Sequence, residues 1–213
     1  MQISNSNNLN FQARKIALAK NIFNSKSTHI DLYELSSKDT KFLEKLRDKI
    51  NIPELMPDLA EHDAKSWQDV LNFTINAALD KSIKKYLAVS GQKPCGIMAV
   101  QKEGRTINLL GISSIPVGVN EKVNYAGSTL FCQLFQNAKT SKPRQIVLEA
   151  MLNSAFDLVS KYKEKGFYPG KAGERYISMK CPKRHIIPQF KKLQAETNYT
   201  PVKSKEVEID FLI

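Results

Sequence analysis

The spacing of apolar positions changes several times along the chain, and each change predicts an element. Ile30 and Leu32 alternate with polar neighbours, which predicts a strand over residues 29–36. Immediately afterwards Phe42, Leu43, Leu46 and Ile50 fall at helical spacing, and Ser36 with Asp39 supplies an N-terminal cap. Residues 51–63 hold two prolines and no period. Trp67, Val70, Leu71, Ile75, Ala78 and Leu79 then form one helical stripe, in which Trp67 reads as a core residue. The period turns strand-like over 84–90, 95–102 and 105–115, and turn residues separate the three runs, which predicts an antiparallel meander.

Further on, Leu130, Phe131, Leu134, Phe135 and Ala138 predict a helix, and the continuous apolar run 145–150 a buried strand. Ala155, Leu158, Val159 and Tyr162 share one helical face that ends at Gly166. A strand over 175–182, a short helix over 184–196 and a last strand with Val207, Ile209 and Phe211 alternating complete the pattern. Residues 1–28, rich in Asn, Ser and Lys around Ile16–Phe23, read as a loose tail with one helical turn. The expectation is a tail over 1–28 and a single α/β domain with a mixed sheet over 29–213.

Composition narrows the class. A hydrophobic fraction of 42% in 213 residues supports a real core. Cys95, Cys132 and Cys181 are far apart and lack a metal-ligand spacing, so they read as buried thiols in a reducing compartment. The first ten residues lack a secretory signal, and no run approaches the roughly 18 apolar residues of a membrane span, so a soluble, cytoplasmic chain without a membrane partner is expected. The net charge of +11 is uneven, because residues 161–205 hold ten Lys and two Arg against three Glu. Either an anionic partner binds there or the face is simply solvated. No aromatic-rich strand or arginine-rich run supports specific nucleic-acid binding.

Candidate chemistry sits where the meander ends. A loop containing Gly118 and Gly127 leads into a helix expected to open at Ser128 and Thr129. The first amides of such a helix have no intrahelical acceptor and lie at the positive end of its dipole, so with Lys122 they suit a pyrophosphate.

From Leu87 to Phe167, about 80 residues, the order of elements and two motifs resemble the GNAT superfamily of N-acetyltransferases. The family's loop reads Gln or Arg, two residues, Gly, one residue, then Gly or Ala. The matching positions here are Lys122, Val123, Asn124, Tyr125, Ala126 and Gly127, with Lys122 replacing Gln or Arg and Tyr125 the first glycine. A side chain at that glycine position narrows the pyrophosphate pocket. The second motif is a tyrosine four residues before Gly-Phe, here Tyr162, Gly166 and Phe167.

The resemblance implies a mainly antiparallel sheet that splays between the strand ending near Ile115 and the strand over 145–150, flanked by helices. It implies acetyl-CoA as donor, with the pantetheine arm in the splay against the backbone of Ile115 to Val117. The phosphates would lie on Lys122, Asn124, Tyr125, Ala126, Gly127, Ser128 and Thr129, with a further contact near Asn153. A primary amine would attack the thioester directly, and Tyr162 would serve as general acid toward the departing thiolate. Glu149 and Glu103 are available carboxylates, but the base stays unassigned. The acceptor is open, and so is a homodimer. The alternative is a noncatalytic GNAT-like module that binds a nucleotide, an acidic protein or nucleic acid through its basic C-terminal third.

Overall fold

The computed structural model describes residues 12–23, 26–152 and 156–208. In chain order the elements are β1 (Gln12–Phe23), β2 (Lys26–Leu35), a 3-10 turn (Ser37–Asp39), α1 (Thr40–Lys49), α2 (Ile52–Leu55) and α3 (Glu61–Leu79). The meander β3 (Lys84–Ser90), β4 (Lys93–Glu103) and β5 (Thr106–Ser114) follows. Then come α4 (Ala126–Ser141), β6 (Gln145–Met151), α5 (Leu158–Glu164), β7 (Tyr168–Ala172), β8 (Tyr176–Pro182), α6 (Lys183–Thr197) and β9 (Thr200–Glu208).

The strands form one sheet in the order β7-β8-β6-β5-β4-β3-β2-β1-β9. Every neighbouring pair is antiparallel except β5 and β6, which are joined through α4. One apolar layer, with Leu130, Phe131, Leu134 and Phe135 of α4 and Ile186, Phe190 and Leu193 of α6, covers one face. A second layer, with Leu43 and Leu46 of α1 and Trp67, Leu71 and Ile75 of α3, covers the other. Among the described residues no helix is long and apolar enough to cross a membrane.

Two expectations change. Residues 12–23 are not a loose tail with a helical turn: they form β1, between β2 and β9. Their inward contacts are small, with Ala13, Ala17 and Ala19 fully buried, so the strand lacks the bulky alternation that marks one in a sequence. The last strand starts at Thr200, and the alternating Ile209 and Phe211 lie outside the described residues. The cap before α1 is as expected: Lys38 N–H donates to Ser36 Oγ at 3.1 Å and the Asp39 carboxylate takes the Ser36 N–H.

Three local features shape the site. Gly111 on β5 lets α3 come close, because a Cβ there would lie 2.5 Å from Thr74 Oγ1 and 2.9 Å from Thr74 Cα. Fully buried Lys85 closes the end of the same helix by donating to the carbonyls of Ala78 at 2.8 Å and Asp80 at 3.2 Å. Finally, β5 and β6 pair only from Thr106↔Gln145 to Leu109↔Leu148, although β5 runs on to Ser114 and β6 to Met151. The register with β4 slips at the same level, Val100 facing Leu109 and Ala99 facing Gly111, so Leu110 is an extra residue that bends β5 away. The sheet splays from that point.

Candidate active site

A cavity of about 490 Å³ opens beside the splayed end of β5. Ile112, Ser113 and Ser114 of β5 line it, together with Ser66, Trp67 and Val70 of α3. The loop from Lys122, the start of α4 through Ser128 and Phe131, and Phe156, Leu158, Lys161, Tyr162, Glu164 and Lys165 around α5 complete the wall. Trp67 fixes the corner between helix and strand: its indole N–H donates to the Ser114 carbonyl at 2.9 Å. It is 6% exposed, so it serves the core and the cavity together.

The helix start has the features an anion needs. Tyr125, just before α4, adopts φ 66, a left-handed conformation that glycine takes without strain and a tyrosine does not. The position therefore keeps the backbone shape that a glycine supplies while carrying a half-buried ring into the cavity wall. The Tyr125 carbonyl accepts both the N–H and the hydroxyl of Thr129, at 2.8 and 2.9 Å. The amides of Gly127 and Ser128 have no acceptor among the described residues. A Cβ at Gly127 would meet nothing within 4 Å, so this turn faces open space.

Three lysines line the same cavity as that turn. Lys122 Nζ lies 4.7 Å from the centroid of the Trp67 ring and 5.9 Å from that of Phe156, and Lys161 Nζ lies 5.2 Å from Phe156. Phe156 stands edge-on to Trp67 at 6.0 Å. Desolvation, then repulsion from Lys161, holds the Lys122 amine below the usual lysine range. Lys165 donates to Ser128 Oγ at 3.3 Å and pairs with Glu196 at 3.7 Å.

Tyr162 reaches the cavity from α5. Asp157 caps that short helix by accepting the Ser160 N–H at 3.1 Å, and Gly166, at φ 84, turns the chain so that the Phe167 N–H returns to the Tyr162 carbonyl at 3.0 Å. The ring packs edge-on to Phe131 at 5.9 Å and against Phe167 at 6.2 Å. Its hydroxyl has no hydrogen-bond partner among the described residues, and burial pushes its pKa up to about 12.

Of the residues expected from sequence, Lys122, Asn124, Tyr125, Ala126, Gly127, Ser128 and Tyr162 line this cavity. Thr129 is buried and locks the helix start instead, and α4 begins at Ala126 rather than Ser128. Ile115 and Val117 do not line the cavity. The Ile115 N–H is bonded to Cys95 O at 2.9 Å, the Val117 N–H to Glu121 O at 3.0 Å, and the Val117 carbonyl takes Lys93 Nζ at 2.7 Å. The strand residues that face the opening are Ile112, Ser113 and Ser114, just upstream. Asn153 lies outside the described residues.

Sequence reasoning missed Ser66, Val70, Phe156, Lys161 and Lys165. Lys161 and Lys165, four apart and flanking Tyr162, carried a readable signal. Glu103 ends β4 opposite Thr106, whereas the cavity lies at the Gly96↔Ser114 end, so Glu103 is remote. Glu149 is exposed and follows the last β5–β6 pair by one residue. Strand alternation puts it on the face of Met151, whose sulfur is 3.8 Å from Ser66 Oγ. None of the three histidines lines the cavity. Burial raises the thiols of Cys95 and Cys181 to about 12 and Cys132 to about 11, and among the described residues no His, Cys, Asp and Glu cluster could hold a metal.

No family model matches the chain. No curated protein matches it either. Among solved structures it is similar to apo FdhC, a nucleotide-linked sugar GNAT, with a TM-score of 0.53 and 16% identity over 89% of this chain and 98% of that one. It is also similar to aminoglycoside 6'-acetyltransferase type Ii, with a TM-score of 0.50 and 12% identity over 71% of this chain and 96% of that one. At such identities the likeness is one of architecture: the chain has the GNAT fold, with the mixed, mainly antiparallel splayed sheet and flanking helices expected for it.

Proposed function

We propose that the protein is an N-acetyltransferase that moves the acetyl group of acetyl-CoA to a primary amine. The observation that carries this reading is the conjunction at one cavity of an opened strand pair, a helix start with unpartnered amides, three lysines and the Tyr162 hydroxyl. The amides of Gly127 and Ser128 and the ammonium groups of Lys122, Lys161 and Lys165 suit the donor's phosphates. The β5 edge from Leu110 to Ser114, freed from β6, offers backbone groups to the amides of a pantetheine arm.

In the reaction the amine nitrogen forms a bond to the thioester carbonyl carbon, the carbon–sulfur bond breaks, and sulfur leaves as a thiolate. Tyr162 stabilises that thiolate by donating a hydrogen bond. A tyrosine held near pKa 12 is protonated at neutral pH. An ordinary thiol sits at about 8.5–9, so Tyr162 shares its proton in the transition state rather than surrendering it. The acceptor must arrive uncharged although free alkylamines have a pKa of about 10. Glu149, on the α3 side just past the last β5–β6 pair, is the carboxylate we assign to take the ammonium proton before attack. The second nitrogen proton, released as the amide forms, passes to the departed thiolate to give the thiol of coenzyme A.

Calorimetry with acetyl-CoA, followed by thiol release against polyamines, aminoglycosides, amino acids and peptide amines, tests the reading. Binding of the donor with amine-dependent thiol release supports it. No binding at millimolar donor sinks it, and binding without release on any acceptor favours a noncatalytic module, the reading that the Tyr125 ring in the phosphate loop supports.

A further inference from the structure

A second cavity, of about 460 Å³, lies between the last turn of α4 and the first turn of α6. It shares no residue with the first one. The two are at opposite ends of β5, whose nine residues span on the order of 25 Å. The floor is aliphatic, made by Ala138, Pro143, Ile186 and Ile187, and Ile187 is 51% exposed. The rim is cationic, carrying Lys139, Lys142, Lys183 and Arg184.

Backbone pairing extends that rim. The Arg105 carbonyl accepts the Arg144 N–H at 2.7 Å, and the Arg144 carbonyl accepts the Lys183 N–H at 2.9 Å, so three cationic residues stand in a hydrogen-bonded row beside the hollow. All six side chains of rim and row are exposed, and among the described residues none of them makes an ion pair. Like charges crowded this way repel one another, and a ligand that brings carboxylates relieves the repulsion.

We propose that this end of the sheet docks an acidic segment of a partner protein, which inserts one bulky apolar side chain into the hollow and lays carboxylates over the rim. The hollow decides against nucleic acid. A phosphate backbone would use the rim and leave the aliphatic floor unused, and the floor offers no aromatic ring on which a base could stack. Rim and row together carry three lysines and three arginines, cations that pair with carboxylates as well as with phosphates, so the aliphatic floor and not the charge decides the occupant. The feature therefore fits an apolar anchor within an acidic sequence, an arrangement in which the anchor provides affinity and the charges provide orientation and speed of encounter.

The test is fluorescence anisotropy of the full chain with a labelled acidic heptapeptide bearing a central leucine, the same peptide with alanine, and a labelled oligouridine of equal charge. The leucine peptide is expected to bind saturably and about tenfold more tightly than the alanine peptide, in line with burial of most of one leucine. Added salt should weaken both. Ile187→Ser should erase the difference between the peptides, and Lys139→Glu with Arg184→Glu should weaken both while leaving acetyl-CoA affinity unchanged. Equal binding of the two peptides, absence of saturable binding at low salt, or tighter binding of oligouridine through the same residues each overturns the proposal, the last in favour of a nucleic-acid surface.

Discussion

Replacing Tyr162 by Phe removes a single hydroxyl and leaves the ring where Phe131 and Phe167 hold it, 5.9 and 6.2 Å away. That buried hydroxyl has no hydrogen-bond partner among the described residues, so its removal should leave the fold as stable as before or more stable by about 1 kcal/mol. The catalytic effect should be much larger. Loss of one preorganised donor to a developing thiolate lowers kcat by about 10²-fold, equivalent to about 2.7 kcal/mol at 1.36 kcal/mol per decade. Donor affinity should hold, because the groups assigned to the phosphates, the Gly127 and Ser128 amides and the ammonium groups of Lys122, Lys161 and Lys165, do not include the Tyr162 hydroxyl. Once an amine screen has found an acceptor, thiol release gives kcat, calorimetry gives the donor Kd, and urea unfolding gives stability. Full kcat at unchanged Kd would reduce Tyr162 to a packing residue. A fall of several kcal/mol in stability would show instead that the hydroxyl is structural, and the kinetic loss could then not be assigned to the thiolate.

Three other outcomes follow from the same geometry. Gly127→Val should leave the circular dichroism spectrum intact, since a Cβ meets nothing within 4 Å, yet raise the donor Kd by about tenfold by filling the space where the phosphates would lie; an unchanged Kd would place the phosphates elsewhere. Gly111→Ala should lower stability by about 1–3 kcal/mol in urea, and adding Thr74→Ala should restore only part of it, because the 2.9 Å contact to Thr74 Cα persists. Alkali should destabilise the protein: burial raises Tyr33 and Tyr162 to about 12, Cys95 to about 12 and Cys132 to about 11, from ordinary values of 10.0 and 9.0. The folded chain holds these protons more tightly than the unfolded chain, so their contribution is complete below pH 9 and is lost as pH rises toward 12. Denaturation midpoints that climb over that range would contradict this.

Periodicity found the elements whose burial is one-sided and made by large residues. The α3 stripe and the Ser36–Asp39 cap are of this kind, because local spacing alone specifies them. It missed β1, whose inward residues are alanines, and β7, which is exposed along its whole length and contains Pro169 and Gly170. In the site, the tyrosine before Gly-Phe and the loop from Lys122 to Ser128 were legible because they are contiguous motifs. The Trp67, Phe156 and Lys122 cluster was not, because it joins a helix, a loop and a turn that only the tertiary fold brings together. The positive φ of Tyr125 was readable only through the loop motif, where this tyrosine takes the place of a glycine.

The splay between β5 and β6 also makes a mechanical seam. Strands β6, β8 and β7 are joined to the other six by four residue pairs, whereas neighbouring pairs such as β4–β5 have eight. What closes the seam is the apolar layer above it, where Ile107 and Leu109 from one side and Ile146 and Leu148 from the other belong to the same cluster as Phe131 and Phe135 of α4. Such contacts have no preferred direction and tolerate small shifts that a hydrogen-bonded ladder does not. The gap can therefore widen around an inserted chain without rupturing any pairing, with α4 acting as a clasp across two plates.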